Sequence, residues 1–360
     1  MENSRREYFD ILTKDGEDVD RYLEGYYEEK IFPNFPEKRE IISGMLERKK
    51  GKQKLRATAT HLAVCAFIGD SYDEELIKIK SAIELLNWST YHENWVIDGK
   101  NNGDRDARKR ENVLGIIGFY NDAINIAAEN RNKGIDYILT LKDIQERVLR
   151  GFEAERHLSL ENEQILKNKE LFKKYYNIRN DDASGYFFDG CVKIARIYSD
   201  SDKKLEEKLR LVYRDFGRGL QIVNDLSDFV ITTNAPISHE KIRSDQFSDL
   251  RTDTVTLPIW LMYNKSSEKD REFLKHLRGK RIIDKPESEK VLEIFYSTGA
   301  YKETKSEIIH LYRRIRKNLR GIDIIPHIKG LLGSMISSLS SNRFYHNLEN
   351  EILKTRNISL

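Results

Sequence analysis

Cysteine and proline are scarce in this sequence. Of its 360 residues only 2 are cysteine and 6 are proline. Two cysteines, Cys65 and Cys191, are too few for a disulfide scaffold, and no CxxC or Cys/His metal spacing is present. The low proline content, together with 34% charged residues, favours long solvated helices over a turn-rich β architecture. We therefore expect a helical protein of a reducing, cytoplasmic compartment.

Long apolar runs and an excess of charge of one sign are also missing. No stretch of 18 apolar residues occurs, and the opening MENSRREYFD has no apolar core of signal-peptide length, so we expect neither a transmembrane segment nor secretion. Lysine and arginine number 62 against 59 aspartate and glutamate, which gives a net charge of only +3. This balance does not indicate a nucleic-acid partner. The 39% of hydrophobic residues are enough for a sizeable core.

Apolar residues recur at spacings of three and four along most of the chain. One such stripe, which predicts a long helix, leads into the string QIVNDLSDF and consists of Leu205, Leu209, Val212, Phe216, Leu220 and Val223. The same pattern predicts further helices at about 57–69, 73–97, 111–130, 140–158, 161–176, 182–199, 257–264, 268–277, 288–296 and 302–320. Alternating β patterns are scarce, and no repeat or linker divides the chain. We expect one all-α domain over residues 1–360, with a core of about 40–345 and a ligand site between helices.

The string GRGLQIVNDLSDF carries the clearest chemical pattern. On a helix with 100° per residue, Asn224, Asp225 and Asp228 fall within one arc, so three oxygen donors share a face near the apolar stripe. Such ligands suit Mg²⁺, which is commonly completed by phosphate oxygens of a substrate. A diphosphate would fit this site. An ordinary solvated helix face explains the same string equally well.

A second string, ELLNWSTYHENWVID, places Asn94 and Asp98 four residues apart on one helical face. If it lay opposite the first string, the two donor sets could hold two or three Mg²⁺ ions around one diphosphate. Only Asp98 is a full carboxylate here. The end of an ordinary helix explains this string better than a metal site does.

Basic residues that could complete an anion site follow or precede these strings. Arg105 and Arg108 come after the second string, and Lys54 and Arg56 lie in KKGKQKLR. Arginine can bind phosphate through two donors, and lysine supplies a compact charge. Basic clusters more often belong to the solvated surface, and that interpretation remains open for all four.

In the order of these strings, the sequence resembles the trans-isoprenyl diphosphate synthase (polyprenyl synthetase) family. It looks like a divergent member of the isoprenoid synthase superfamily. The similar segments are GKQKLRA at 51–57, FIGD at 67–70, residues 84–98, the pair Arg105 and Arg108, Gly151 with Glu155, residues 221–228, SDLRTDTVTLP at 248–258 and STGAY at 297–301. They match, in the same order, the family's Gly-Gly-Lys-Arg segment, its Leu-Gly-Gly-Asp turn, its two Asp-rich motifs and its C-terminal elements. Any single match would be weak, and the order makes them informative.

This resemblance implies an all-α isoprenoid synthase fold with a central cavity, commonly a homodimer. In that family, two Asp-rich helices hold Mg²⁺ ions that bind an allylic diphosphate. Ionisation of the diphosphate gives an allylic cation, which the double bond of isopentenyl diphosphate attacks.

The resemblance also assigns roles to single residues. It implies a Mg²⁺ site of Asn224, Asp225 and Asp228 with Asp98 and Asn94 opposite, and it gives the three aspartates catalytic roles. The residues implied for binding of the diphosphates are Arg105, Arg108, Lys54, Arg56 and Gln221, the last through a hydrogen bond that orients the metal helix or the diphosphate.

Several positions depart from the family pattern. Asn94 and Trp95 stand where the first motif has its two leading aspartates, and the family's Lys-Thr pair is replaced at Asp181 and Asp182. The other departures are Asn87 for a histidine, Gln53 for a lysine and Thr254 for a late lysine. The second motif survives with one change, Asn224. Such a pattern is expected of an enzyme that still ionises one prenyl diphosphate but has lost standard chain elongation.

Three outcomes of ionisation therefore stay open: prenyl transfer in chain elongation, cyclisation as in terpene synthases, and transfer to another acceptor. The alternative from a different class is a non-catalytic regulatory subunit of a prenyl diphosphate synthase. Retention of three oxygen donors on one face argues against that alternative. A helical interaction module without an isoprenoid ligand explains the ordered strings least well.

Overall fold

The computed structural model describes residues 2–97, 111–201, 203–229, 246–280 and 282–337. Across these ranges the ordered elements are helices, and no strand occurs among them. In the first half of the chain the helices are α1 (Glu2–Tyr26), α2 (Arg39–Lys49), α3 (Leu55–Ile68), α4 (Glu74–Ile97), α5 (Phe119–Ala128), α6 (Gly134–Glu155), α7 (Glu163–Lys167) and α8 (Lys169–Ile178). In the second half they are α9 (Tyr186–Ser199), α10 (Lys203–Ser227), α11 (Ser248–Arg251), α12 (Leu257–Lys265), α13 (Glu268–His276), α14 (Lys285–Ser297), α15 (Ala300–Arg320) and α16 (Pro326–Ser337).

Short helices of other types join some of these elements. Pro36–Lys38 forms a 3₁₀ turn, and π-helical turns span Tyr27–Ile31, Leu114–Gly118 and Arg179–Gly185. No described helix is both long and apolar enough to cross a membrane.

Side-chain caps fix where several helices begin. The side chain of Asn168 accepts hydrogen bonds from two backbone N–H groups in the first turn of α8. Asp284 and Glu287 form a reciprocal capping box at the start of α14. Each cap satisfies N–H groups that a helix start leaves without partners, which typically stabilises the helix by about 1 kcal/mol.

Contacts between residues divide the chain into two compact units. The first unit consists of Met1–Val148, Tyr186–Arg214 and Lys317–Met335, and the second consists of Leu149–Gly185, Asp215–Arg316 and Ile336–Leu360.

Helix α3 is the central element of the first unit. Every side chain from 57 to 66 is buried, and α3 contacts α1, α4 and α9. Helix α9 also approaches α6 closely at Gly190. A Cβ atom there would lie 2.3 Å from Cδ1 of Ile144, so a larger residue would force that side chain to move.

The second unit is built around stacked aromatic side chains. Phe172 stacks on Trp260 with 4.9 Å between ring centroids, and Phe229 stacks on Phe295 at the same distance. Such pairs contribute about 0.5–1.5 kcal/mol beyond the burial of their area. They hold α8, α12, α14 and the end of α10 together in this unit.

The all-α prediction is confirmed, and most of the predicted helices are present within a few residues. Two helices that the spacing did not identify, α1 and α2, precede residue 57. Helix α1 buries Tyr8, Leu12, Val19 and Leu23, which recur at helical spacing but are diluted by charged neighbours. The single helix predicted at 161–176 is two, because Asn168 ends one helix and caps the next.

Candidate active site

Carboxylate side chains of the second unit come together around one buried arginine. Glu155 ends α6, Asp225 and Asp228 lie at the end of α10, and Asp249 lies in the short helix α11. Arg179, the first residue of the π-helical turn after α8, forms ion pairs with Glu155 and Asp225. We call Glu155, Asp225, Asp228 and Asp249 the acidic cluster.

Asp225 is completely buried and engaged by protein donors. Nη1 of Arg179 donates to both of its carboxylate oxygens at 3.0 Å, and the hydroxyl of Tyr176 donates to Oδ2 at 2.7 Å. Nε2 of Gln221, one helical turn earlier, lies 3.5 Å from Oδ1. Because these donors occupy both oxygens, Asp225 anchors Arg179 and the end of α10.

The widened turn from Arg179 to Gly185 sets the position of the guanidinium. Its Nε donates to Oε2 of Glu155 at 2.5 Å, so one arginine joins two acids from different helices. The turn can approach α6 because residue 151 is glycine. A Cβ at Gly151 would lie 2.7 Å from the backbone nitrogen of Ala183, which is closer than real Cβ contacts come.

Asp182 lies in the same π-helical turn, where the family resemblance expects a cation. Its side chain is buried, and Nε of Arg150 donates to its Oδ2 at 2.5 Å. Asp182, the acid in place of the expected cation, is therefore paired with Arg150.

Asp228 is held by the start of α11. Its Oδ1 accepts from the backbone N–H of Ser248 at 2.8 Å and from the Ser248 hydroxyl at 2.9 Å, and Oδ2 accepts from the N–H of Asp249 at 3.0 Å. Phe247, just before α11, has φ +56°, a left-handed conformation that is uncommon for a bulky residue. This buried, strained residue turns the chain so that the N–H groups of Ser248 and Asp249 point to Asp228.

Asn224 differs from its neighbours on α10 because its side chain is exposed. The predicted arc of three donors is therefore divided in the structure. Asp225 faces the interior and Asp228 is bound to α11, whereas Asn224 faces solvent.

Burial raises the pKa values of Asp228 and Asp249 in the cluster. Desolvation raises the pKa of Asp228 to about 6, although the N–H groups of Asp249 and Ser248 oppose the shift. Desolvation, followed by the charges of Asp228 and Asp225, raises the pKa of Asp249 well above its usual range. The cluster thus contains four carboxyl groups, and Arg179 forms ion pairs with two of them, Glu155 and Asp225.

A divalent cation, which the family resemblance implies, fits this chemistry in part. All the available ligand atoms are hard oxygens, which such a cation prefers. Asn224, Asp228 and Asp249 are the residues that could supply ligands. Asp225 already binds Arg179, and within the described ranges no three carboxylates come within 4.8 Å of one another.

Two of the predicted basic residues, Lys54 and Arg56, are described; they lie in the first unit and differ from each other. Lys54 is 2% exposed, and its ammonium group is surrounded by protein oxygens. It donates to the carbonyl oxygens of Lys49 at 2.6 Å and Lys52 at 3.1 Å, and it forms an ion pair with Asp20 at 2.9 Å. All three ammonium protons thus have protein partners, and Lys54 stabilises the loop before α3.

Arg56, two residues later, has no such partners. Its guanidinium lies 5.0 Å from the ring centroid of Phe187 and 5.4 Å from that of Phe188. Its Nε is buried and makes no hydrogen bond, and no ion pair of Arg56 occurs among the described residues. Its backbone N–H instead donates to Glu84, which caps the start of α3. A half-buried arginine with a buried, unpartnered Nε and no counterion among the described residues can bind an anion.

The other predicted site residues cannot be compared with the structure. Asn94 is in α4, but its side chain is not described. Asp98, Arg105 and Arg108 lie outside the described residues.

Sequence reasoning did not include Tyr176, Arg179 and Asp249 among the site residues. Asp249 lies in the string SDLRTDTVTLP, which carried part of the family resemblance, so its role could have been considered. Tyr176 lies within an ordinary amphipathic helix and Arg179 follows it, and neither has a local signal. Their importance arises only because α8 packs beside the end of α10.

Comparisons with known proteins agree with this fold. A family model described as polyprenyl synthetase matches residues 117–295, which include the acidic cluster. A search of curated protein sequences gives no match.

Solved structures of the same fold cover almost the whole chain. Decaprenyl diphosphate synthase from Rhodobacter capsulatus has 16% identity and a TM-score of 0.74, with 95% of this chain and 100% of that chain covered. Heptaprenyl diphosphate synthase from Staphylococcus aureus has 19% identity and a TM-score of 0.69, covering 92% and 98%. A polyprenyl synthase from Caulobacter crescentus CB15, complexed with calcium and isoprenyl diphosphate, has 17% identity and a TM-score of 0.72, covering 93% and 98%.

At these identities the structural neighbours establish the fold, and the matched segment establishes the family. Members of that family are prenyl diphosphate synthases, which are prenyltransferases. The chain therefore belongs to the polyprenyl synthetase, or trans-isoprenyl diphosphate synthase, family.

Proposed function

We propose that this protein is a Mg²⁺-dependent enzyme that ionises an allylic prenyl diphosphate and transfers or cyclises the prenyl group. The observation that carries this proposal is the acidic cluster. It lies within the segment matched by the family model, and it places four carboxyl groups around one buried arginine that forms ion pairs with two of them. The other two acids, Asp228 and Asp249, offer oxygen ligands of the kind that Mg²⁺ prefers.

Mg²⁺, when bound, would neutralise charge on the diphosphate leaving group. Asn224, Asp228 and Asp249 would supply its protein ligands. Asp225 would have an indirect role, because its hydrogen bonds to Arg179 and Tyr176 hold the end of α10 and hence its neighbours in place. Asp98 and Asn94 remain predicted ligands from the first motif.

Arg56 supports binding of the diphosphate anion. Its buried Nε lacks a partner, and the rings of Phe187 and Phe188 lie beside the half-buried guanidinium. An oxygen of a diphosphate would provide the missing counterion, and charge-assisted hydrogen bonds of this kind are roughly twice as strong as neutral ones. Arg105 and Arg108 remain predictions for the same role.

The proposed reaction breaks the bond between the allylic carbon and the diphosphate oxygen, and the bonding electrons leave with inorganic diphosphate. The allylic cation is then captured by a double bond of isopentenyl diphosphate, by a double bond of its own chain, or by another acceptor. Loss of a proton from the captured product restores neutrality.

Turnover of a small set of substrates tests this function. The purified full chain is incubated with geranyl, farnesyl or geranylgeranyl diphosphate, with and without isopentenyl diphosphate, in Mg²⁺ or in excess chelator. We expect inorganic diphosphate to be released only with Mg²⁺. Release that requires isopentenyl diphosphate would identify elongation, whereas release without it would identify cyclisation or another acceptor. If no combination releases diphosphate, the catalytic proposal is wrong.

One observation favours the alternative of a non-catalytic subunit. Both oxygens of Asp225 and all the ammonium protons of Lys54 are occupied by protein partners, as in residues that serve only the fold. A regulatory subunit would release no diphosphate alone but would change the rate or product length of an active synthase mixed with it. That measurement separates the two functions.

The predictions of a homodimer and of a cytoplasmic location have some support. Val113, Ile117, Ile135 and Leu139 of the first unit are apolar and exposed, and a second subunit would bury them if they lie in its interface. Cys65 and Cys191 are both free thiols, which agrees with a reducing compartment.

A further inference from the structure

A second group of potential metal ligands lies at the C-terminal end of α3 in the first unit. One ring nitrogen of His61, the sulfur of Cys65 and a carboxylate oxygen of Asp70 all lie within 4.8 Å of one another. In the described ranges of the chain, no other set of three histidine, cysteine or acidic side chains is as close. None of these residues belongs to the acidic cluster, and none is one of the predicted basic residues Lys54 and Arg56.

The backbone explains why the three side chains converge. His61 and Cys65 are four residues apart, so they share one face of α3. Gly69 ends the helix with φ +83° and ψ −159°, a conformation essentially open only to glycine. The turn at Gly69 brings Asp70 back beside that face. His61 and Cys65 are buried and Asp70 is exposed, so the group has one side open to solvent.

A buried carboxylate orients the histidine ring. Nδ1 of His61 lies 3.0 and 3.2 Å from the two oxygens of Asp15, which accept a hydrogen bond from the Nδ1–H group. Asp15 is itself completely buried and receives a hydrogen bond from Lys80 at 2.6 Å. Nε2 is therefore the ring atom left for a ligand. It is buried and makes no hydrogen bond with any described residue.

A carboxylate behind the distal ring nitrogen is the usual outer partner of a metal-bound histidine, where it fixes the ring and increases the basicity of the ligand.

We propose that His61 Nε2, Cys65 Sγ and Asp70 bind a transition-metal ion of the zinc type, with Asp15 as the outer partner of the histidine. One nitrogen, one sulfur and one oxygen ligand suit Zn²⁺, and the exposed side leaves a fourth position for water. A thiolate would not be chosen for Mg²⁺, which prefers oxygen ligands. The site is thus distinct in chemistry from the acidic cluster, and the inference does not depend on the proposed function.

Titration with Co²⁺ and Zn²⁺ tests this site directly. The purified full chain is reduced, stripped with a chelator, desalted and titrated with Co²⁺ under anaerobic conditions. We expect one Co²⁺ per chain with a thiolate-to-cobalt charge-transfer band, displacement of Co²⁺ by Zn²⁺, and a rise in the melting temperature with Zn²⁺. Absence of binding at micromolar metal, or binding without a thiolate band, would overturn the proposal.

The two cysteines provide a matched pair of variants. Cys65→Ala should remove the charge-transfer band and weaken binding at least about 100-fold, because a thiolate ligand is lost. Cys191→Ala removes the other buried free thiol and should bind Co²⁺ as the wild type does. Equal binding by the two variants would contradict the assignment of Cys65.

Two further variants keep the test decisive if Cys65→Ala folds poorly. Asp70→Asn changes an exposed side chain, so it should retain the fold and weaken Co²⁺ binding. Asp15→Asn should weaken binding about 10–100-fold while the thiolate band is retained, as expected for an outer partner. If both variants bind Co²⁺ with wild-type affinity, the site is not formed by these residues.

Discussion

The acidic cluster of the second unit and the basic segment of the first unit, which contains Lys54 and Arg56, pair their charged groups differently. In the acidic cluster, four carboxyl groups lie around one arginine, and most of their oxygens accept a hydrogen bond from a protein donor. In the basic segment, Lys54 has a full set of protein acceptors and Arg56 has none among the described residues. The residue type and its spacing did not distinguish Lys54 from Arg56, whereas their partners do.

This difference separates charged groups that are paired within the protein from charged groups that remain available for a ligand. Burial of an ion costs several kcal/mol unless it is paired and hydrogen-bonded. Asp225 and Lys54 meet that requirement within the protein. Arg56, Asp228 and Asp249 meet it only in part, so an anion or a cation from outside would complete their environments.

The largest expected effect comes from breaking the anchored pair of Asp225 and Arg179. Asp225→Ala removes one of the two carboxylates that pair with the buried guanidinium of Arg179. This loss should lower the free energy of unfolding by about 3–5 kcal/mol. It should also abolish Mg²⁺-dependent ionisation. Urea denaturation measures the first effect. Asn224→Ala is the stability control, and because Asn224 is exposed its change should stay within about 0.5 kcal/mol. A stable, active Asp225→Ala protein would show that this acid is neither anchor nor ligand.

Arg56 should show the reverse behaviour, with loss of binding and little loss of stability. Arg56→Ala removes a guanidinium that has no ion pair to break, so the free energy of unfolding should change by about 1 kcal/mol or less. The KM for the prenyl diphosphate should rise about 10–100-fold, because a charge-assisted hydrogen bond contributes about 1.5–3 kcal/mol. Steady-state kinetics and urea denaturation of the same preparation check both parts. A large loss of stability with unchanged KM would show that Arg56, like Lys54, stabilises the fold and does not bind the substrate.

Gly151 tests whether the acidic cluster depends on close packing of its backbone. In Gly151→Ala the new Cβ would collide with the backbone of Ala183, and overpacking of this kind costs about 1–3 kcal/mol. Gly25→Ala is the matched control, since nothing lies within 4 Å of its Cβ position in α1, and it should stabilise by up to about 1 kcal/mol. Thermal and urea denaturation would reveal opposite signs for the two variants. The same sign would mean that the Gly151 contact is relieved at little cost.

The smallest expected effect is the pH dependence of stabilisation by Mg²⁺. The pKa of Asp228 in the folded protein is about 6, above its usual value, so the protonated acid contributes stability that is lost as the pH rises through 6. The ionised form is the one that binds a cation. The Mg²⁺-induced rise in melting temperature should therefore be near zero at about pH 5 and appear between about pH 6 and 7.

The control for this pH dependence is Asp228→Asn. It has no proton to lose, so its response to Mg²⁺ should be small and independent of pH. A full response of the wild type at about pH 5 would exclude Asp228 from the cation site.

The sequence alone was sufficient for the helical class, for the family and for most helices. Their apolar stripes repeat at helical spacing, and that signal is local. Helix α1 was not predicted because charged residues interrupt its buried stripe. The break at Asn168 was not predicted because a capping side chain acts on only a few backbone groups.

The environment of each candidate site residue could not be predicted in the same way. Asp225 and Asn224 are adjacent in sequence, yet one is bonded to Arg179 and the other faces solvent. The difference depends on α8, about fifty residues earlier in the chain, and no local pattern contains it. The group of His61, Cys65 and Asp70 was overlooked for a related reason, because its third member arrives through the turn at Gly69.

The central claim is that the acidic cluster supports departure of a diphosphate, and release of inorganic diphosphate measures it most directly. Wild type and Asp228→Asn are compared with the best prenyl diphosphate substrate, in Mg²⁺ and in excess chelator. We predict steady release by the wild type in Mg²⁺ only, and at least about 100-fold slower release by the variant. Equal rates for the two proteins, or release by the wild type in chelator, would contradict the account.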